Sequence, residues 1–296
     1  MAGIGLHTGR PVRVVVRPAS AEYGIWFRRV DMHDGDNLIP ALYENVCATH
    51  LCTKIANDAG ASVSTIEHLM AAFAGCGITN ALVDVDGPEL PIMDGSARRF
   101  VREIIQAGIQ NLHEPARVLR ILAPVQVTIG EAVAALVPAG TMEIDFSIEF
   151  SDAAIGAQSR RLGMANGAFV HELADCRTFC LQSEVDVMQS NGLALGGSYD
   201  NAIVVDGGKV LNPGGFRRAD ECVRHKMLDA LGDLSLAGAP ILGRYTGIRA
   251  GHGITNALLR KLFATPGAFE MIEATPTMMH QLPGAGVTLS DLRLAV

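Results

Sequence analysis

The sequence lacks a long hydrophobic run, a basic block and a paired-cysteine motif, and each absence excludes a class of protein. No apolar stretch approaches the roughly 20 residues that a membrane-spanning helix needs, so we expect no stable membrane insertion. The first five residues lack a basic region followed by an apolar one, so we expect no secretory signal. The formal net charge is −7, which argues against non-specific nucleic-acid binding.

Six cysteines are present, but none of them forms a CxxC pair. The sequence therefore has neither a zinc-ribbon knuckle nor a thioredoxin-like motif. A chain of 296 residues needs no disulfide framework, so we expect reduced thiols, as is usual in the cytoplasm. We do not expect the chemistry of this protein to rest on cysteine.

What the sequence does contain is a series of apolar patterns that predict two α+β units. The first unit has predicted strands at 11–17, 24–29 and 81–85, the first two joined by a turn, and helices beginning near Ser64 and Gly95. After a linker at 111–117, the second unit has predicted strands at 118–122, 125–129, 143–150, 202–205 and 240–248, with helices at 167–174, 183–190, around 225–233 and from about 255 to 263.

Strands precede helices in both units rather than alternating strictly with them, which favours α+β layers over a doubly wound parallel sheet. We therefore predict two domains, 1–113 and 118–296, each a sheet layered with helices. The loosely similar order of elements suggests that the two domains have similar topology.

The segment His225-Lys226-Met227-Leu228-Asp229, followed by Asp233, is the first candidate site. On a helix, His225, Asp229 and Asp233 lie at i, i+4 and i+8 and project from one side. An imidazole and a carboxylate one turn apart can bind one divalent ion, and a further carboxylate can orient a ligand. Because apolar residues occupy the opposite side, this polar face is expected to point away from the core. The alternative is an ordinary solvated helix face.

A second candidate site is Glu67-His68, on the helix that is predicted to begin near Ser64. His68 is expected to point away from the apolar stripe of this helix and to supply a third metal ligand. Glu67 would then be a carboxylate able to deprotonate a metal-bound water. The alternative is structural, because Ser64-x-x-Glu67 also fits a capping box.

Three further segments carry weaker signals. His252 lies between two glycines, which predicts a loop in which it acts either as an acid beside a metal or as a surface histidine. Thr178, in Arg177-Thr178-Phe179, could place a hydroxyl at an oxyanion. The small and apolar stretch 193–198 predicts at least a turn after a short helix.

The segments that carry these residues, together with three further segments, occur in one order along the chain. They are Gly3-Ile4-Gly5-Leu6-His7-Thr8-Gly9, Leu51-Cys52-Thr53, Ser64-Thr65-Ile66-Glu67-His68-Leu69, Pro91-Ile92-Met93-Asp94-Gly95-Ser96, Arg177-Thr178-Phe179, Leu195-Gly196-Gly197-Ser198, Val223-Arg224-His225-Lys226-Met227-Leu228-Asp229 and Gly251-His252. The ordered set, which runs from residue 3 to about 263, resembles the zinc-dependent UDP-3-O-acyl-N-acetylglucosamine deacetylases of lipid A biosynthesis.

This resemblance implies a role for each matching residue. His68, His225 and Asp229 would bind zinc, and iron(II) suits the same ligands. Glu67 would be the general base on the zinc-bound water, and His252 the general acid or electrostatic stabiliser. The residues in supporting roles would be Asp233 behind His252, Thr178 at the oxyanion, Lys226 at the phosphates or sugar, and Phe179 beside the glucosamine.

The resemblance also implies a fold, a substrate and a location. Helices would pack between the two sheets, and an insert at about 183–198 would form an apolar passage for the 3-O-acyl chain. Its expected lining is Val185, Met188, Leu193 and Leu195. We expect a cytoplasmic, monomeric hydrolase from a Gram-negative organism that releases acetate from a UDP-linked acylated glucosamine.

One departure and two rival functions accompany this prediction. Members of the family usually have a further strand before the Gly3–Gly9 motif, so we expect either a missing strand or an altered sheet edge. A zinc amidohydrolase for another acylated sugar or amide would use the same residues. A non-catalytic metal-binding or nucleotide-binding protein would instead place Glu67 in a helix cap and His252 in solvent.

Overall fold

The computed structural model describes residues 1–293, which form helices and several open sheets and so confirm the predicted α+β class. The strands are β1 (Ala2–Ile4), β2 (Pro11–Pro18), β3 (Ile25–Arg29), β4 (Leu38–Pro40), β5 (Val46–Ala48), β6 (Lys54–Ala56), β7 (Ser62–Val63), β8 (Ala81–Val85), β9 (Arg117–Ile121), β10 (Val125–Ile129), β11 (Ala132–Val137), β12 (Met142–Glu149), β13 (Ala157–Gly163), β14 (Phe179–Leu181), β15 (Ile203–Asp206), β16 (Lys209–Val210), β17 (Ile241–Ile248) and β18 (Phe269–Glu273). The α-helices are α1 (Glu67–Cys76), α2 (Arg98–Ala107), α3 (Ala168–Glu172), α4 (Gln182–Ser190), α5 (Glu221–Leu234), α6 (His252–Phe263) and α7 (Pro276–Met279).

The first sheet has the strand order β1-β2-β8-β3-β4. The two strands predicted at 11–17 and 24–29 exist as β2 and β3, but they do not pair with each other. Instead β8 lies between them, antiparallel to β2 and parallel to β3. Four of the five residues of β8 are buried, and a strand buried on both faces favours a central position. Strand β1 (Ala2–Ile4), which overlaps the start of the Gly3–Gly9 motif, is the edge strand of this sheet.

The second sheet has β17 at its centre, antiparallel to β11 and parallel to β12 and β9. The alternation predicted over 143–150 is present in β12, where every second residue from Met142 to Ile148 is buried. Strand β13, which pairs with β12, was not predicted, because its sequence AQSRRLG has a single large apolar residue. This segment is a strand because its backbone pairs with β12, although its sequence has no alternation of apolar residues.

Helices α1 and α5 make the largest helix–helix contact of the described chain. They cross at Gly232, where an added Cβ would lie 2.1 Å from the carbonyl oxygen of Glu67. Nearly every residue of both helices is buried. The prediction that the polar side of α5 points away from the core is therefore wrong, because that side is covered by α1. The solvated-face alternative is wrong for the same reason.

The two sheets use separate parts of the chain. All strands of the first sheet precede residue 86, and all strands of the second follow residue 116. The C-terminal segment returns to the first part, where Gly284 lies against Gly77. The division into domains 1–113 and 118–296 stays a prediction. Within residues 1–293, no helix is both long and apolar enough to cross a membrane.

Candidate active site

Three side chains from α1 and α5 converge in the core at the crossing of the two helices. His68, His225 and Asp229 are 2–5% exposed, and each offers one ligand atom within 4.8 Å of the other two. Nε2 of His225 lies 3.3 Å from Oδ1 of Asp229, and Nε2 of His68 lies 3.7 Å from the same oxygen. The sequence placed two of these residues on one helix, and the crossing supplies the third.

The hydrogen bonds around this cluster leave its inward-facing atoms without donors. Nδ1–H of His225 donates to the carbonyl of Cys176 at 3.0 Å, so Nε2 carries the lone pair that faces Asp229. Oδ1 of Asp229 has no hydrogen-bond partner in the described chain, whereas Oδ2 accepts from Lys226 at 2.7 Å. Converging lone pairs repel one another unless a cation lies between them. The donor set of two imidazoles and one carboxylate therefore fits a divalent metal.

The protonation states of these three side chains also fit the binding of a divalent metal. Burial and the neighbouring His225 lower the pKa of His68 to about 3, and burial also lowers the pKa of His225. Burial opposes ionisation of Asp229, but the adjacent His225 and Lys226 hold the pKa of this carboxyl well below its ordinary value. Neutral imidazoles and an ionised carboxylate are the forms that bind metal.

Glu67 lies beside the cluster and is not part of a helix cap. Helix α1 begins at Glu67 itself, after Ile66, and no side chain caps it. The hydroxyl of Ser64 donates to Pro88, and the Glu67 carboxylate accepts the backbone N–H of Thr53 at 3.0 Å. The capping-box alternative is therefore wrong. Burial, with Asp229 and Asp233 nearby, raises the pKa of Glu67 to about 7, against the opposing charge of His252.

His252 also faces the cluster, but from a helix rather than from the predicted loop. It is the first residue of α6, which begins three residues earlier than expected after an extended Gly251. Its Nδ1 lies 2.8 Å from Oδ2 of Asp233. Burial lowers the pKa of His252, but the contact with Asp233 outweighs it and raises the pKa to about 9. The alternative in which His252 faces solvent is wrong, since its side chain is 10% exposed.

One small cavity, of about 20 Å³, lies among the predicted site residues. Six of them line it: Glu67, His68, Thr178, His225, Asp229 and His252. Phe179 lies next to it, with its ring 6.3 Å from that of His225 and in edge contact with Phe150 at 5.4 Å. Lys226 is paired with Asp229, and its contact with substrate stays a prediction.

The predicted acyl passage lies apart from this cavity. None of Val185, Met188, Leu193 and Leu195 lines it. The first three are half-buried and Leu195 is exposed. The loop after α4 does reach the cavity wall through its backbone, because N–H of Leu195 donates to the carbonyl of His7 and N–H of Gly196 to that of Leu6. The role of the four side chains stays a prediction.

Several cavity residues received no role from the sequence. His7 lines the cavity with both ring nitrogens buried and unpartnered in the described chain. Its loop is held by Glu89, which accepts N–H groups of His7 and Thr8 at 2.8 Å each. Thr53 does not line the cavity, but it donates hydrogen bonds to both Glu67 and Asp233. Their motifs were visible in the sequence, but the contacts join segments far apart in the chain and have no local signal.

Two of the residues that line the cavity have a strained backbone. Leu51 and Thr65 line the cavity and have φ values of +66° and +58°, in the left-handed region that side chains with a Cβ seldom adopt. Each such residue costs roughly 1–3 kcal/mol and persists only where its surroundings hold it. Here both residues flank segments that contact Glu67.

Comparison with known proteins identifies the family of this chain. The sequence profile of LpxC, UDP-3-O-acyl N-acetylglycosamine deacetylase, matches residues 1–264. A protein of Phenylobacterium zucineum with the name UDP-3-O-acyl-N-acetylglucosamine deacetylase is 53% identical over 270 residues, 91% of this chain and 92% of its own. Proteins of the same name from Anaeromyxobacter and Vibrio cholerae are 45% and 46% identical, over 92% and 90% of this chain and 88% of their own. The predicted resemblance is confirmed, and the chain belongs to the LpxC family of UDP-3-O-acyl N-acetylglycosamine deacetylases.

Proposed function

We propose that this protein hydrolyses the N-acetyl group of a UDP-3-O-acyl-N-acetylglucosamine and releases acetate, with zinc bound by His68, His225 and Asp229. Membership of the deacetylase family supports an amide hydrolase. The assignment of the metal site rests on the convergence of three buried ligand atoms. One of them, Oδ1 of Asp229, has no hydrogen-bond partner in the described chain. Iron(II) suits the same ligands, so the test below compares both metals.

An amide is a poor electrophile with a poor leaving group, and the site has a group for each difficulty. A divalent metal, when bound, polarises the carbonyl and makes water a better nucleophile. Glu67 takes the proton of the attacking water, and its raised pKa of about 7 matches a base that works near neutral pH. The hydroxyl of Thr178 lines the cavity and donates to the oxyanion that develops on the carbonyl oxygen.

His252 and Asp233 complete the proton transfers in this proposal. Asp233 accepts from Nδ1 of His252, which leaves Nε2 to face the substrate. Because its pKa is raised to about 9, His252 is protonated at neutral pH and can donate to the departing amine nitrogen. Asp233 thereby keeps the acid charged and oriented.

The remaining predicted residues bind the substrate outside the reacting amide. Phe179 packs against the glucosamine ring, and Lys226 meets the sugar or the phosphates. The apolar side chains of the insert at 183–198 receive the 3-O-acyl chain through Val185, Met188, Leu193 and Leu195. The same proposal includes a monomer acting in the cytoplasm of a Gram-negative cell, in lipid A biosynthesis.

Acetate release from UDP-3-O-acyl-N-acetylglucosamine tests this proposal, with metal-free protein reloaded with zinc or iron(II). We expect release by the loaded protein, loss of release with a chelator, and loss of both metal and activity in His225→Ala. His113→Ala removes an exposed histidine and serves as the matched control. Metal-loaded wild type that releases no acetate would overturn the substrate assignment. Full activity in chelator, or in His225→Ala, would overturn the metal site.

A further inference from the structure

We propose that Thr53 is a positioning residue that fixes the proton acceptor and the proton donor of this site relative to each other. This inference rests on the proposed function for the roles of Glu67 and His252. It assigns a role to a residue that no motif or comparison assigns. The observation behind it is that one buried side chain and its backbone contact both halves of the proton-transfer machinery.

All three polar groups of Thr53 are used. Its N–H donates to Oε2 of Glu67 at 3.0 Å, and its hydroxyl donates to Oδ1 of Asp233 at 2.6 Å. Its carbonyl accepts the N–H of Ile66, just before α1 begins, at 3.4 Å. Thr53 is 2% exposed, so these bonds form away from bulk water, where their geometry is costly to change.

The bond to Glu67 selects which carboxylate oxygen faces the cavity. Within residues 1–293, the N–H of Thr53 is the one donor from another residue to the Glu67 carboxylate, and it bonds to Oε2. Oε1 is therefore left to accept a proton from water in the cavity. A backbone N–H is a fixed donor, so it orients the carboxylate without adding a titrating group.

The bond from Thr53 to Asp233 acts indirectly on His252, the proposed acid. Oδ1 of Asp233 accepts from Thr53, while Oδ2 accepts from Nδ1 of His252 at 2.8 Å. With both oxygens held, the carboxylate cannot rotate away from the imidazole. Thr53 thus joins α1, which carries Glu67, to α5 and α6, which carry Asp233 and His252.

The surroundings show why one residue can make this bridge. The helices α1 and α5 approach so closely at Gly232 that no side chain fits between them there. The loop that holds Thr53 turns through left-handed Leu51, two residues earlier, and so enters beside the crossing. Thr53 itself is 2% exposed whereas Leu51 is 42% exposed, so the bridge lies at the buried end of this loop.

Thr53→Val is the decisive variant because valine keeps the β-branched shape and both backbone bonds but lacks the hydroxyl. We expect kcat for acetate release to fall about tenfold to a hundredfold, as for other groups that orient a catalytic residue, with KM unchanged. Thr53→Ser restores the hydroxyl and should recover most of kcat. Metal content and melting temperature are measured on every variant.

A second readout does not need activity. In protein with isotope-labelled histidine, the Nδ1–H resonance of His252 reports its bond to Asp233. We expect this resonance to shift in Thr53→Val and to stay near its wild-type position in Thr53→Ser. The NMR comparison therefore still tests the bridge if the wild type proves inactive on this substrate, a result that would overturn only the proposed function.

Three results would overturn the role of Thr53. One is an unchanged kcat and an unchanged His252 resonance in Thr53→Val. Another is a loss of kcat in Thr53→Ser equal to that in Thr53→Val, since the hydroxyl would then not matter. The third is a loss that follows metal content or melting temperature across the variants, which would make Thr53 a structural residue only.

Discussion

The crossing of α1 and α5 and the insert at 183–198 reverse the usual placement of polar and apolar side chains. At the crossing, two histidines and three carboxylates are buried, and the side chains of His252 and Lys226 beside them are only 10% and 19% exposed. In the insert, α4 has no buried residue, Val187 is 61% exposed and Leu195 is 56% exposed. Burying unpaired charge is costly, and so is exposing large apolar side chains. Each region therefore bears a cost that packing alone does not explain.

The cost of buried charge at the crossing and the cost of exposed apolar side chains in the insert are offset in different ways. At the crossing, hydrogen bonds and mutual charge hold the polar groups in fixed positions, and a metal would complete the set. In the insert, few contacts hold the apolar groups, and an acyl chain would cover them. The comparison teaches that contacts within the protein already hold the side chains of the proposed reacting centre, whereas the proposed acyl site has apolar side chains that the protein leaves uncovered. Four predictions test this difference, from the largest expected effect to the smallest.

Glu67→Gln should separate catalysis from stability at the crossing. Loss of a general base costs about a hundredfold to ten-thousandfold in rate. The pKa of Glu67 is raised, so in metal-free protein its ionisation lowers stability as the pH rises through about 7, and glutamine removes this effect. We expect kcat to fall while the melting temperature of the metal-free variant at pH 8, measured by calorimetry, stays equal or rises. A lower melting temperature would mean that the carboxylate stabilises the fold.

Gly232→Ala should damage the crossing through packing alone. The added methyl would lie 2.1 Å from the Glu67 carbonyl, and overpacking of a core typically costs about 1–3 kcal/mol. Gly140→Ala, where an added Cβ meets nothing within 4 Å, is the matched control. Denaturant unfolding should show the loss in the first variant only. Equal stability of the two variants would show that the helices can separate at no cost.

Leu195→Ser should have the opposite effect in the insert, because it should weaken binding of the ligand and leave the stability of the fold nearly unchanged. An exposed leucine contributes little to stability, within about 0.5 kcal/mol, but covering it with an acyl chain is worth roughly 1.5–3 kcal/mol. We expect kcat/KM to fall about tenfold to a hundredfold for a long acyl chain and not for a short one. Val187→Ser, equally exposed but outside the predicted lining, is the control. An equal loss for both chain lengths would remove Leu195 from the passage.

The pH profile of kcat/KM should change with a substitution at the crossing and not with one in the insert. In the proposed mechanism Glu67 acts in its ionised form and His252 in its protonated form, so kcat/KM should rise through about pH 7 and fall through about pH 9. A bound divalent cation lowers both pKa values, so each limb lies at or below these pH values. Asp233→Asn removes the contact that raises the pKa of His252 and should move the falling limb to lower pH. Leu195→Ser should leave both limbs in place, and a shift there would contradict the separation of the two regions.

The sequence was most informative where one helix or strand carried the signal. The spacing of His225 and Asp229 follows directly from helical periodicity, and the alternation in β12 follows from the pleat. The exposure of the polar face of α5 was mispredicted, because periodicity separates two faces without saying that a second helix covers one of them. The capping box at Ser64 failed for a related reason, since Thr53 competes for the Glu67 carboxylate.

Contacts between distant segments lay beyond what the sequence could supply. Thr53 and Asp233 are joined by one hydroxyl, and nothing near either residue signals the other. The position of His252 on α6 was missed because its flanking glycines suggested a loop, whereas Gly251 is extended and precedes the first helical residue. The roles of all these residues stay predictions until the variants above are measured.

The placement of the ligands on two crossing helices has a thermodynamic consequence. His68 belongs to α1 and the other two ligands to α5, so a metal ion that binds all three also ties these helices together. Binding to the folded chain alone stabilises it by RT ln(1 + [L]/Kd), about 2.7 kcal/mol at a hundredfold excess over Kd. Under the proposed function, the free metal concentration is therefore a variable of folding as well as of activity. Withdrawing the metal from this protein should loosen the very helix pair that forms the site.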